Sequence, residues 1–275
     1  MNTDTLLMTI ENRLKRNHLM KSDSFNKGGD MSLISSVLLL ISDRNDTTGK
    51  PIAPYLVLNK RSKRVKQAGD LCCPGGGISP MLDASIAGIL NLPFSPLYQW
   101  AYWRHLKKTD KTDARNLSLL AATGLREGFE EMRLNPLGVK FVGRLPVQQL
   151  MMFKRDIHPL VGWIKHQIRF VPNREVDKIV RIPIHELLLP ENYACYCLSF
   201  GEAISKERRT DKTNLPCFLH RDGKSTELLW GATYRIVVNF LDLVFDFTPP
   251  PLKTLPKVYG HLDGQYLTGH KKQYM

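Results

Sequence analysis

Strand-length apolar runs, broken by a few long stretches of helical period, constrain this chain more than any other feature. Residues 33–41 and 55–59 are short and apolar, and the turn-rich segment 42–51 parts them, so the two read as a hairpin. Residues 141–145, 158–165 and 168–172 are strand-like in the same way. Residues 182–190 read as a strand leading into a short helix, and 217–231 as two strands around an Asp222-Gly223 turn. The helical stretches are 117–134 and the strongly apolar 232–247. Strands mixed with core helices predict an α/β chain. Leu6, Leu7, Ile10 and Leu14 add an amphipathic N-terminal helix over residues 1–20, read as a packing arm, and 21–30 read as a polar connection.

Charge narrows the partners. Against 26 Asp and Glu stand 39 Lys and Arg, a formal net charge of +13. That balance favours a polyanion: a phosphorylated metabolite, a nucleic acid or an acidic membrane surface. The longest apolar run, 33–41, is too short for a membrane span. Five cysteines and a start without a secretory leader predict a reduced, cytoplasmic protein. Cys195 and Cys197 have C-x-C spacing but no second pair nearby, which favours buried thiols over zinc.

Residues 81–118 differ in texture, with prolines, two tryptophans and then a charged run. They read as an insertion, part helix and part mobile loop. Trp100, Tyr102 and Trp103 serve packing or self-association, as a homodimer contact, better than base stacking. The final stretch, 248–275, is rich in Pro, Gly, Lys and Tyr and reads as an extended or partly ordered tail.

The densest chemistry is in "ATGLREGFEEMRL". On a helix Glu127, Glu130 and Glu131 stand at i, i+3 and i+4 and share one face, while Leu125, Phe129 and Met132 point elsewhere to bury it. Three carboxylates so close repel one another. A hard dication such as Mg²⁺ or Mn²⁺ would offset that repulsion, and Arg126 is near enough to Glu130 to hold a carboxylate. The other reading is a solvated acidic face. Upstream, "CCPGGG" is a turn of bare backbone, Gly75 and Gly76 included, that can approach a ligand closely.

Together these two segments resemble the Nudix hydrolase box, G-x5-E-x7-R-E-U-x-E-E-x-G-U, with U a bulky apolar residue. Arg126, Glu127, Glu130, Glu131 and Leu134 match its second half. "LNKRSKRVKQAGDLCCPGG", "PNREV", "IPIHELLLP" and "ELLWGATYRIVVNFL" are similar, in order, to segments of the coenzyme A pyrophosphatase branch. The likeness runs over about residues 37–247. It departs from the box in four places. Leu82 stands at the first box glutamate with Asp83 one place late, the spacer before Arg126 is far longer than seven residues, Gly128 stands at the apolar position, and Arg133 stands at the last glycine.

The resemblance implies an α/β/α sandwich with a mixed sheet. It divides the chain into a helical arm (1–30), a hydrolase domain (31–247) with its insertion at about 82–118, and a tail (248–275). It implies hydrolysis of the diphosphate of coenzyme A or an acyl-coenzyme A, with Mg²⁺ or Mn²⁺ on Glu127, Glu130, Glu131 and the Gly76 carbonyl. Arg126 then orients a glutamate, and Glu127 or Glu175 is the general base. Substrate contacts fall to Gly75, Gly76 and the basic run Lys60, Arg61, Lys63, Arg64 and Lys66, where a 3′-phosphate could sit. Two other readings stay open: the same chemistry on ADP-ribose, NADH or a dinucleotide, and a non-catalytic module binding nucleotide or RNA. No RNA-binding motif is evident, so nucleic acid is not the expected partner.

Overall fold

β1 is apolar on both sides, and that decides the architecture. The computed structural model describes residues 3–20, 33–43, 53–150, 155–202, 204–205, 210–223 and 225–268. In chain order the elements are α1 (Thr3–Met20), β1 (Ile34–Ser42), β2 (Tyr55–Arg61), β3 (Leu71–Cys72), β4 (Gly75–Gly77), α2 (Pro80–Ile89), α3 (Trp103–Thr109) and α4 (Lys111–Met132). There follow β5 (Val139–Arg144), β6 (Gln148–Leu150), β7 (Arg155–Ile164), β8 (Val176–Pro183), the single turn α5 (Ile184–Leu187) and β9 (Tyr193–Phe200). The chain continues through β10 (Lys212–Asp222), β11 (Ser225–Trp230), α6 (Gly231–Phe245), β12 (Lys257–Leu262) and α7 (Gly264–Thr268). The connection expected at 21–30 and most of the turn at 42–51 lie outside the described residues.

Along β1, Leu38 and Leu40 pack into a core with α2, α3 and α4, while Leu39 and Ile41 pack into a second core with α1 and α6. A strand buried on both faces belongs in the middle of a sheet. β1 runs parallel to β7 and antiparallel to β2, in the path β3-β2-β1-β7-β5, with β4 on β1, β6 on β7 and β8 on β2. The result is an α/β/α sandwich around a mixed sheet. Leu6, Ile10 and Leu14 of α1 are buried against it, and Gly143 lets α1 lie close: a Cβ there would stand 2.8 Å from that of Leu14.

A second sheet, β11-β10-β9-β12, closes one end. Its hairpin turns at Asp222-Gly223 as the sequence suggests. The described part of the tail, 248–268, is more ordered than expected: β12 pairs in parallel with β9 and α7 carries Tyr266 back to Asp70. Cys195 and Cys197 lie on β9 with sulfurs 4.0 Å apart.

Three other expectations change. Residues 168–172 form no strand. The chain instead runs past the end of α4, where the Val171 and Asn173 amides donate to the Met132 and Glu131 carbonyls that the helix leaves unpaired. Residues 81–118, read as an insertion of part helix and part loop, hold two helices joined by the turns of residues 90–102. Leu97, Trp100, Trp103 and Leu106 are buried, and Trp100 meets Phe141 edge-on at 4.9 Å. α4 therefore begins at Lys111, capped by Asp110, whose carboxylate accepts the Asp113 amide at 2.8 Å. Phe129 does not bury the helix: it is exposed, and the Arg133 guanidinium lies over its ring.

The junction of the two sheets has its own titration. Asp70 accepts from Trp230 Nε1 (3.1 Å) and Tyr266 Oη (2.7 Å). Burial lifts its pKa from 3.8 to about 6, against the pull of those two donors and Arg61. A carboxyl whose folded pKa exceeds its unfolded one favours folding while protonated. That contribution is complete below about pH 4 and is lost as pH rises through about 6, on the order of 3 kcal/mol in all. Urea denaturation at pH 4.5 and pH 7 is expected to show this difference shrink in Asp70→Asn.

Candidate active site

The site forms where α4 crosses the bare backbone of β4. Gly75–Gly77 do not make a turn, as the sequence suggests, but a strand antiparallel to β1, with Gly75 opposite Val37 and Gly76 opposite Ser36. Glycine is required there for two separate reasons. At Gly75 the φ is +153° and a Cβ would lie 2.3 Å from the Ser36 carbonyl oxygen. At Gly76 a Cβ would lie 2.4 Å from Glu127 Oε1. The second contact puts the Glu127 carboxylate directly on the Gly76 backbone.

Asp83, one place after Leu82, is the acid that holds Arg126. It is fully buried on α2, 43 residues before Arg126, and accepts Arg126 Nε at 2.6 Å, Thr123 Oγ1 at 2.8 Å and the Ser79 amide at 2.7 Å. Burial by itself would raise its pKa, but these donors, Arg126 foremost, hold it below the usual carboxylate range. The Asp83 hydrogen bond chiefly, with the charges of Glu127 and Asp83, pushes the Arg126 pKa upward against burial. Arg126 also donates to Glu127 Oε1 (2.9 Å), to Glu130 (3.3 Å) and to the Gly77 carbonyl (3.2 Å). One guanidinium thus ties α2, β4 and α4 together across the insertion.

The three glutamates differ. Glu131 accepts Asn59 Nδ2 at 2.8 Å and the Gly75 amide at 3.3 Å. Burial, then the charge of Glu127, lifts its pKa from 4.5 to about 7. Burial raises the Glu127 pKa too, against the opposing charge of Arg126. Glu130 is about half exposed and turned to Arg126. Among the described residues no group of three His, Cys, Asp or Glu side chains is arranged to hold a metal ion. What the chain offers a hard dication is the Glu127–Glu131 pair beside the Gly76 backbone. Buried Ser36 Oγ and Asn59 Oδ1, each without a hydrogen-bond partner, add unspent oxygens in the same neighbourhood. These are oxygen donors of the type Mg²⁺ and Mn²⁺ take.

Around this centre the expected basic run divides. Lys60 Nζ is engaged by buried Glu227 at 2.9 Å, which Lys178 shares at 2.7 Å, so Lys60 is a structural cation in this state. Arg61 donates to the Lys66 carbonyl, and its charge acts on Glu131. Lys63, Arg64 and Lys66 are exposed in the following loop. That loop meets the 172–176 segment, since Ser62 bonds the Glu175 and Arg174 carbonyls at 2.8 Å. Glu175 itself is exposed, its amide held by Asn173 Oδ1, and its side chain is not packed into the carboxylate pair.

The two remaining departures have local causes. Gly128 leaves room for Leu134, whose Cδ2 would stand 2.8 Å from a Cβ there, where the chain folds back. Arg133 caps α4 with φ 54°, a conformation natural to glycine. Arg133→Gly is expected to gain about 1 kcal/mol in urea denaturation, the left-handed strain outweighing the lost stacking on Phe129.

Sequence reasoning missed Asn59, Glu227 and the Asp70–Trp230–Tyr266 contact. Asn59 carried a faint signal, a polar residue ending the apolar run of β2.

No protein-family model matches the chain, and no curated protein matches it. Solved structures do. A NUDIX hydrolase from Alicyclobacillus acidocaldarius aligns at 14% identity over 77% of this chain and 90% of that one, with a TM-score of 0.39. A MutT/nudix family protein from Enterococcus faecalis aligns at 9% identity over 90% and 75%, also at 0.39. The NUDIX domain of Shewanella oneidensis NrtR, complexed with ADP ribose, aligns at 13% identity over 63% and 86%, at 0.35.

Proposed function

We propose that this chain is a Mg²⁺- or Mn²⁺-dependent diphosphatase of the Nudix type, cleaving coenzyme A or an acyl-coenzyme A into a 3′,5′-ADP-type half and a 4′-phosphopantetheine-type half. The observation that carries the reading is Arg126, clamped by Asp83 and holding Glu127 against the Gly76 backbone. It supports a working box despite the long interruption. The Glu127–Glu131 pair supplies negative charge in a partly buried place, and Glu130 lies at its outer edge for a further ligand. A bound dication would neutralise phosphate charge and acidify the attacking water. Arg126 orients Glu127 and does not meet substrate. The bare backbone at Gly75 and Gly76 admits the diphosphate closely. Arg61, Arg64 and Lys66 face the polyanion from the neighbouring loop, with Lys60 set behind them on Glu227. Glu127 serves as general base in preference to Glu175, because it stands in the pair.

The test is a panel of coenzyme A, acetyl-coenzyme A, ADP-ribose and NADH with Mg²⁺ or Mn²⁺. Hydrolysis of the coenzyme A compounds alone is expected, with both halves identified by mass spectrometry. Turnover of only ADP-ribose or NADH would keep the chemistry and overturn the substrate. Salt-sensitive RNA binding with no hydrolysis of any compound would overturn the enzyme.

A further inference from the structure

We propose that the outer face of the insertion docks the protein on an anionic lipid bilayer. The face has three adjoining parts. On α2 and its continuation Met81, Ile89 and Leu92 follow helical spacing along one exposed stripe, with Met81 88% exposed. Beside the stripe runs a groove of about 430 Å³ whose floor is Ala84, Ala87, Gly88 and Ala114. The opposite wall carries Lys107, Lys111 and Arg115, and no Asp or Glu lines the groove. The nearby acids are engaged: Asp113 pairs with Arg144 at 2.7 Å, and Asp110 caps α4.

Phe94 is what turns this face into an anchor. It is 85% exposed at the tip of the turn after α2, with φ +73°. A bulky residue is held in that conformation only when its surroundings impose it. Here they do: its carbonyl accepts Gln99 Nε2 at 2.7 Å, and Ser95 Oγ bonds the Leu90 carbonyl at 2.5 Å. Gln99 is fixed in turn by Lys165. The tip is built to project an aromatic ring into the surroundings. Protruding apolar side chains suit the soft boundary of a bilayer better than a protein pocket, and the cationic wall beside them suits lipid phosphate. The formal charge of +13 reinforces the attraction. No helix among the described residues is long and apolar enough to cross a membrane, so the attachment is to its surface.

The test is co-sedimentation of the full chain with vesicles of phosphatidylcholine alone and of phosphatidylcholine with about one third phosphatidylglycerol. Binding to the anionic vesicles only is expected, weakened by salt. Ile89→Ser with Phe94→Ser, and separately Lys107→Glu with Lys111→Glu, are expected to weaken it at least about tenfold. All four positions are exposed, so far-ultraviolet circular dichroism should be unchanged, and hydrolysis of soluble substrate likewise. No binding to the anionic vesicles, or binding that survives both double variants, overturns the proposal. So does a chain that dimerises through this face, seen as a dimer in sedimentation velocity that Ile89→Ser with Phe94→Ser dissociates.

Discussion

Asp83→Ala is expected to lower folding stability by about 3–5 kcal/mol and to remove hydrolysis with it. The carboxylate is fully buried, and Arg126 is only 10% exposed. Deleting Asp83 removes the shortest and most buried partner of Arg126 and leaves its charge to Glu127 and the half-exposed Glu130 in a poorly solvated place. Thr123 and the Ser79 amide lose their acceptor at the same time. The double variant Asp83→Ala with Arg126→Ala should lose less than the sum of the two single losses, since neither member of the Asp83–Arg126 pair is left without the other. Urea denaturation of the four proteins measures this. A single-variant loss under about 1 kcal/mol would mean that the clamp is ornamental.

Glu131→Gln should behave in the opposite way: little change in stability and a fall in hydrolysis of about a hundredfold or more. In the metal-free protein Glu131 keeps its proton to about pH 7, so a neutral amide of the same shape resembles its resting state. Gln retains an oxygen for the Asn59 and Gly75 donors. What it cannot supply is an anion for a dication or a share of the charge that binds it. Steady-state rates, together with Mn²⁺ titration by calorimetry, separate the two effects. Activity within about threefold of the parent would remove Glu131 from the chemistry.

Much of this was legible because local pattern and burial agree. The apolar runs of β1, β2, β5 and β7 are buried strands, and Leu6, Ile10 and Leu14 at helical spacing are the buried stripe of α1. The Arg-Glu-Glu-Glu face was legible because helical spacing alone brings those residues together. What stayed hidden depends on distant chain. "GGG" reads as a turn until β1 is present to pair with it. Lys60 reads as a phosphate ligand until Glu227, 167 residues away, is folded against it. Trp100 and Trp103 read as packing or self-association, and which core they enter shows only once Phe141, about forty residues on, is folded against Trp100. β12 alternates only weakly, because its covered side, Val258, Gly260 and Leu262, is no more than partly buried at the edge of its sheet.

The Asp83–Arg126 clasp has a consequence for how such chains are found. A catalytic signature defined by counting letters between acids assumes that separation along the polymer stands for separation in space. Asp83 and Arg126 stand 43 residues apart along the chain, yet they close to 2.6 Å. Closure of this kind leaves no trace in a spacing rule, because the length of chain between the two partners is a free variable.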